Sequence, residues 1–138
     1  MKKQTYDIIG DIHGHYHKLV QLLDALGYLK NDKGYYHPEG RKVAFLGDFI
    51  DPKYDNDPNL PHDVPAVLEA VKAMVNNNNA VAVMGNHEFN ALCWETRAPA
   101  GSGREYLREH NERHLRQIGD TLEQFANWPQ EWRDFVGW

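Results

Sequence analysis

Three glycine-bearing blocks constrain this chain more than any other feature: GDIHGH at 10–15, GDFIDP at 47–52 and GNHE at 85–88. Each follows a short apolar run, TYDII at 5–9, VAFL at 43–46 and AVAVM at 80–84, that reads as a buried strand. Helical patterns lie between them. KLVQLLDALGYL (18–29) carries an apolar stripe of Leu19, Val20, Leu22, Leu23 and Leu26 closed by Gly27, and 63–75 is a second helix with Asp63 as N-cap and Pro65 in its first turn. Strand, helix, strand, helix, strand in this spacing predicts βαβ units and a mainly parallel sheet covered on both faces. In such sheets ligands bind at the carboxyl ends of the strands, where all three blocks fall.

The remaining segments are read from turn and charge signals. Residues 30–42 predict a small hairpin or loop, and 52–63, rich in proline and aspartate, predicts a loop. The NNNN run at 76–79 ends the second helix, and a third helix opens near Asn86 and runs through Leu92 and Trp94. After a break at 98–103, the charged stretch 104–128 predicts a long helix or helix pair. At 138 residues the chain has one domain's length.

Composition excludes several classes. A net charge of −5 argues against an electrostatic grip on nucleic acid. Cys93 is the sole cysteine, so no intramolecular disulfide is expected, in keeping with a reducing compartment. The N-terminus lacks the apolar core of a signal peptide, and no segment reaches the ~18 apolar residues of a membrane span. A cytoplasmic, soluble protein is the expectation, with neither membrane nor nucleic acid as partner.

The blocks carry metal-ligand chemistry. Asp11 and His13 stand two residues apart, which on extended backbone puts their side chains on one side. Asp48 holds the corresponding place on the next strand and has two oxygens with which to bridge two ions. Asn86 offers a neutral oxygen to the second ion, and His87 is placed to act as general acid. Asp51 would orient His87 as carboxylates orient histidine in other catalytic pairs. A metal-bridging hydroxide is the expected nucleophile. His15 falls at the mouth of the site. Asp, Asn and His ligands suit two divalent ions, manganese first, with iron, zinc and nickel compatible with the same set.

GDIHG, GD-x-x-D and GNHE in this order resemble the calcineurin-like metallophosphoesterases. The His-Gly of the first block and the glutamate of GNHE bring the likeness nearest to the phosphoprotein-phosphatase branch, with its bacterial serine/threonine phosphatases and symmetrical diadenosine tetraphosphatases. The resemblance covers roughly residues 6–95. It implies a share of an α/β/β/α sandwich, with Asp11 and His13 on the first metal, Asp48 bridging, Asn86 on the second, and His87 as proton donor supported by Asp51. It also implies hydrolysis of a phosphomonoester or pyrophosphate bond in a phosphorylated small molecule, a nucleotide or a phosphoprotein.

Two departures from that pattern matter. The branch follows its second aspartate with an arginine that clamps phosphate, whereas Asp51 is followed by Pro52 and Lys53. Lys53 supplies a point charge without a fork, and Arg97, Arg104 and Arg108 are the other cations available. No G-H-x-H segment occurs, although the family closes its site with distal histidines. The chain is therefore expected to be an amino-terminal portion or a natural truncation. The competing reading is an incompetent scaffold that binds metal weakly or serves a partner, with exposed apolar surface driving self-association.

Other candidates have blander readings. His110 and His114 share an i, i+4 spacing on the charged stretch, and a solvated helix face is expected. His37 and His62 sit in polar loops and default to exposed, and His17 to the helix surface. Asp55, Asp57 and Asp63 lack the glycine and glutamate of a calcium loop. Trp94, Trp128, Trp132 and Trp138 are read as packing residues.

Overall fold

A computed structural model describes residues 3–52 and 61–138. Strand β1 is Tyr6–Ile9, helix α1 Tyr16–Ala25, β2 Leu29–Asn31, β3 Gly34–Tyr36 and β4 Lys42–Phe45. Helix α2 (Val64–Asn76), strand β5 (Ala80–Ala82) and helices α3 (Asn86–Glu95), α4 (Glu112–Gln124) and α5 (Pro129–Gly137) follow. The main sheet is parallel in the order β1-β4-β5, and β2 and β3 form a separate antiparallel hairpin.

The register explains how the sheet is used. Asp7, Val43 and Ala80 align in one row and Ile9, Phe45 and Ala82 in another. These rows face the helices, where Leu23, Val43, Phe45, Val64, Val67, Val71 and Met74 are essentially inaccessible. Each such side chain contributes about 1.5–3 kcal/mol through burial. Asp63 caps α2 as its sequence predicts, its carboxylate accepting the Ala66 N–H at 3.0 Å.

The opposite face departs from expectation. Ile8, Ala44 and Val81 form an aligned row in which Ile8 is 71% and Val81 48% exposed, and Val83 beyond them is 58% exposed. Among the described residues only one face of the sheet is covered. Apolar, β-branched strands predict burial on both faces, but what lies on the second face depends on tertiary partners that strand composition does not encode.

The 104–128 stretch is also different. The helix begins only after Asn111, whose side chain accepts the His114 N–H at 2.9 Å. Residues upstream form an irregular segment held beside the end of α3. Ala98 N–H donates to Glu105, Leu107 N–H to Thr96 and Arg108 N–H to Cys93. His110 lies between the rings of Trp94 and Tyr106, at centroid distances of 3.7 and 4.0 Å and interplanar angles of 12°. These contacts outweigh helix propensity there, so His110 and His114 do not share a helix. Nor is His37 exposed: it is buried against Tyr28, with Nε2 against the Leu26 carbonyl at 3.1 Å and Nδ1 accepting the Glu39 N–H. Trp94 and Trp132 pack in the core, whereas Trp128 and Trp138 are about half exposed.

Candidate metal centre

The three blocks meet at the carboxyl ends of β1, β4 and β5. Two of them are laced together by backbone: Ile12 and His13 N–H both donate to the Asp48 carbonyl, at 3.0 and 2.9 Å, and Gly14 N–H donates to Phe49 at 2.7 Å. The second and third touch at glycines. A Cβ on Gly47 would collide with the backbone of Gly85, and one on Gly85 would collide with Asp48. Only glycine at both positions lets the turns approach this closely.

His13, Asp48 and Asp51 all adopt left-handed backbone conformations, with φ of 46°, 54° and 57°. Such conformations cost non-glycine residues on the order of 1–3 kcal/mol and persist only where the surroundings enforce them. The enforcing group at Asp48 is Glu88, a residue to which sequence reasoning assigned no role beyond a family marker. Its Oε2 accepts the N–H groups of Asp48 (2.7 Å) and Gly85 (3.0 Å), and its Oε1 those of Phe49 (2.6 Å) and Ile50 (3.3 Å). The bond to Gly85 is the reach-back half of a capping box, the one signal in the sequence that could have revealed this role. At Asp51 the group is Thr121 of α4, which accepts the Asp51 N–H and donates to Asp51 Oδ1, both at 2.9 Å. No local signal marks a threonine 70 residues away.

His13, Asp48 and His87 each place a ligand-type atom within 4.8 Å of the others. His13 Nδ1–H donates to the Ile50 carbonyl at 2.9 Å, which leaves Nε2 as the ring's acceptor. That Nε2 is buried and has no hydrogen-bond partner. Asp48 Oδ1 accepts the His87 N–H at 3.0 Å, so its other oxygen is left for a further partner. A buried lone pair without a donor beside a buried carboxylate oxygen is a pair of donors that a divalent cation satisfies, and the His87 ring stands next to it. The residues present fit such an ion.

His87 Nδ1 lies 2.8 Å from Asp51 Oδ2, leaving Nε2 free for chemistry. Burial pushes the Asp51 carboxyl above the ordinary carboxylate range, with hydrogen bonds from His87 and Thr121 and the His87 charge working against it and Glu88 adding to it. The His13 and His87 rings meet edge-on at 4.9 Å.

The other predicted residues stand around this cluster. Asp11 Oδ2 is 3.7 Å from His13 Nε2, but the Asp11 side chain is 65% exposed. The backbone at His13 is left-handed rather than extended, so it is the turn, not strand alternation, that brings the pair together. Asn86 is the first residue of α3 and is exposed. His15 is buried against His62, at a ring distance of 4.7 Å, and lines a pocket together with Asp11 and His13. Lys53 lies outside the described residues, as does most of the 52–63 loop.

Parallel strands that gather histidine and carboxylate side chains at their carboxyl ends are a scaffold on which a hydrolytic metal centre can be built. The chain belongs to the calcineurin-like phosphoesterase family, whose match covers residues 5–137. Among curated proteins it is 43% identical over 82 residues to an asymmetrical bis(5'-nucleosyl)-tetraphosphatase of Halalkalibacterium halodurans and equally to one of Anoxybacillus flavithermus. A Bacillus cereus protein of the same name is 37% identical over 82 residues. In each case the match covers 59% of this chain and 30% of the relative, so it spans less than a third of the length of these proteins. Their names specify the asymmetrical reaction, a finer distinction than the motifs carry. Among the described residues no helix is long and apolar enough to cross a membrane.

Proposed function

We propose that this chain supplies the metal-binding and proton-donating part of a phosphoanhydride hydrolase acting on a dinucleoside polyphosphate. The observation that carries the reading is the buried His13 Nε2, which has no hydrogen-bond partner, beside Asp48 and His87. The tetraphosphatase names of the relatives favour a nucleotide over a phosphoprotein as substrate.

In this reading Asp11, His13, Asp48 and Asn86 would hold two divalent ions, with Asp48 shared between them. Two divalent ions, manganese first, supply Lewis-acid activation of water and of the phosphoryl group when bound. His87 Nε2 gives its proton to the leaving oxygen, and Asp51 keeps that proton on the reactive nitrogen by holding Nδ1–H. Lys53 and His15 are the proposed contacts to substrate phosphate. A free Cys93 suits a cytoplasmic enzyme.

The test is metal content by elemental analysis together with p-nitrophenyl phosphate hydrolysis in added manganese. The chain should bind manganese and turn over, Asp48→Asn should lose both, and His87→Ala should keep metal while losing most turnover. Equal activity in all three proteins would sink the reading.

A further inference from the structure

A cleft of about 790 Å³ lies between α3 and the irregular segment ahead of α4. Phe89, Asn90, Arg104, Tyr106 and Arg108 line it. Arg108 is held there as a fixed cation. Its Nη1–H donates to Asn90 Oδ1 at 2.9 Å and its Nη2–H to Gln117 Oε1 at 2.6 Å. Both acceptors are neutral, and among the described residues Arg108 forms no ion pair. Its guanidinium is therefore oriented by neutral acceptors, with two of its five N–H donors spent and three left for a ligand. Glu105 and Glu109 also line the cleft: Glu105 pairs with Arg97 at 2.9 Å and Glu109 accepts the Asn111 amide, and among the described residues neither forms an ion pair with Arg108.

The position of this cation relative to the centre follows from helix geometry. Asn90 stands four residues after Asn86 on α3, on the same face and one turn further along, about 5.4 Å. Arg108 is thus tied one helical turn from the proposed ligand Asn86, and its backbone N–H is anchored to Cys93 at 3.0 Å. Phe89 on the same turn is 56% exposed, a flat apolar face at the rim of the cleft. Tyr106 and His110, which also line the cleft, stack with Trp94, and the Arg97 guanidinium lies 4.9 Å from the Tyr106 ring.

We propose that this cleft is the subsite for the part of a nucleoside polyphosphate that lies beyond the cleaved bond. Arg108 forks onto a non-reacting phosphate, and the Phe89 ring stacks on the base. This places the phosphate clamp that the Asp51–Pro52 sequence lacks on a different element, and it rests on the phosphoanhydride reading above.

The two readings separate by experiment. Calorimetric titration with ATP, without added metal, measures the subsite directly. Arg108→Gln should weaken ATP binding about tenfold or more, Arg108→Lys should fall between, because it keeps charge and loses the fork, and Phe89→Ala should weaken ATP but not inorganic triphosphate. Circular dichroism establishes that each variant is folded, and the lysine variant carries the test if the glutamine variant is not. Wild-type affinity in both Arg108 variants, or no ATP binding by the wild type, overturns the subsite. Binding that depends on Arg108 in a chain that never hydrolyses p-nitrophenyl phosphate with manganese overturns the hydrolase reading and leaves the subsite standing.

Discussion

Thr121 Oγ1 closes a two-point hydrogen-bonded ring on Asp51, accepting its N–H and donating to its carboxylate, both at 2.9 Å. Thr121 is fully buried, and the Asp51 oxygen it leaves free is the one that holds His87. A helix remote in sequence therefore sets the orientation of the proposed general acid. Thr121→Val keeps the shape, strands the Asp51 N–H, and should cost about 1–3 kcal/mol in denaturant unfolding. It should also displace the acidic limb of the pH–rate profile, which Thr121→Ser should restore. An unchanged profile in the valine variant would mean that Thr121 serves stability alone.

Glu88 satisfies four N–H groups from two different turns, so Glu88→Gln cannot be neutral. Its amide NH₂ must face at least one backbone donor, leaving buried N–H groups unsatisfied at about 1–3 kcal/mol. Because the released segment carries Asp48, manganese affinity measured by calorimetry should fall along with the melting temperature. Wild-type affinity in a destabilised variant would separate the turn's stability from the metal centre.

Tyr28 should contribute to the loss of stability in alkali. Burial, then the hydrogen bond to Asp7 at 3.0 Å and the charge of that carboxylate, raise the Tyr28 hydroxyl well above its ordinary pKa, with Arg41 opposing. Tyr35 shifts in the same direction, again chiefly through burial. Above about pH 10 the unfolded chain releases a proton that the native Tyr28 keeps, so the native state binds more protons and stability falls as pH rises. The contribution is whole below that pH. Tyr28→Phe should be about 0.5–1.5 kcal/mol less stable at neutral pH and decline more shallowly in alkali. Parallel declines in urea melts at pH 8 to 11 would refute the assignment.

The exposed row of Ile8 and Val81 should make the chain self-associate, since an uncovered apolar sheet face with β5 at its edge is a template for pairing. Light scattering should give a mass that grows with concentration, and Ile8→Lys with Val81→Lys should hold the chain monomeric. A wild-type mass that stays monomeric at high concentration would rule this out.

Much of the architecture was legible because it is local. Apolar runs closed by glycine, the Asp63 cap and the leucine stripe of α1 are written in adjacent residues, and the strands and helices between the blocks formed within a few positions of expectation. Strand composition misled where burial on a second face was inferred from it. Residues 104–110 were misread because ring stacking against Trp94 and backbone pairing with Thr96 and Cys93 overrode their charged, helix-like pattern.

By itself the sequence determined which chemistry the strand ends carry: imidazole, carboxylate and amide side chains after glycine, at the carboxyl edge of a parallel sheet. Only the tertiary structure decided how those groups are held. Glu88 gathers the turns, Thr121 aims Asp51, Ile50 assigns the His13 tautomer, and Asn90 with Gln117 fixes Arg108. Ligand identity follows from residue type in a local pattern. Orientation comes from hydrogen bonds between segments far apart in the chain, which no local pattern records.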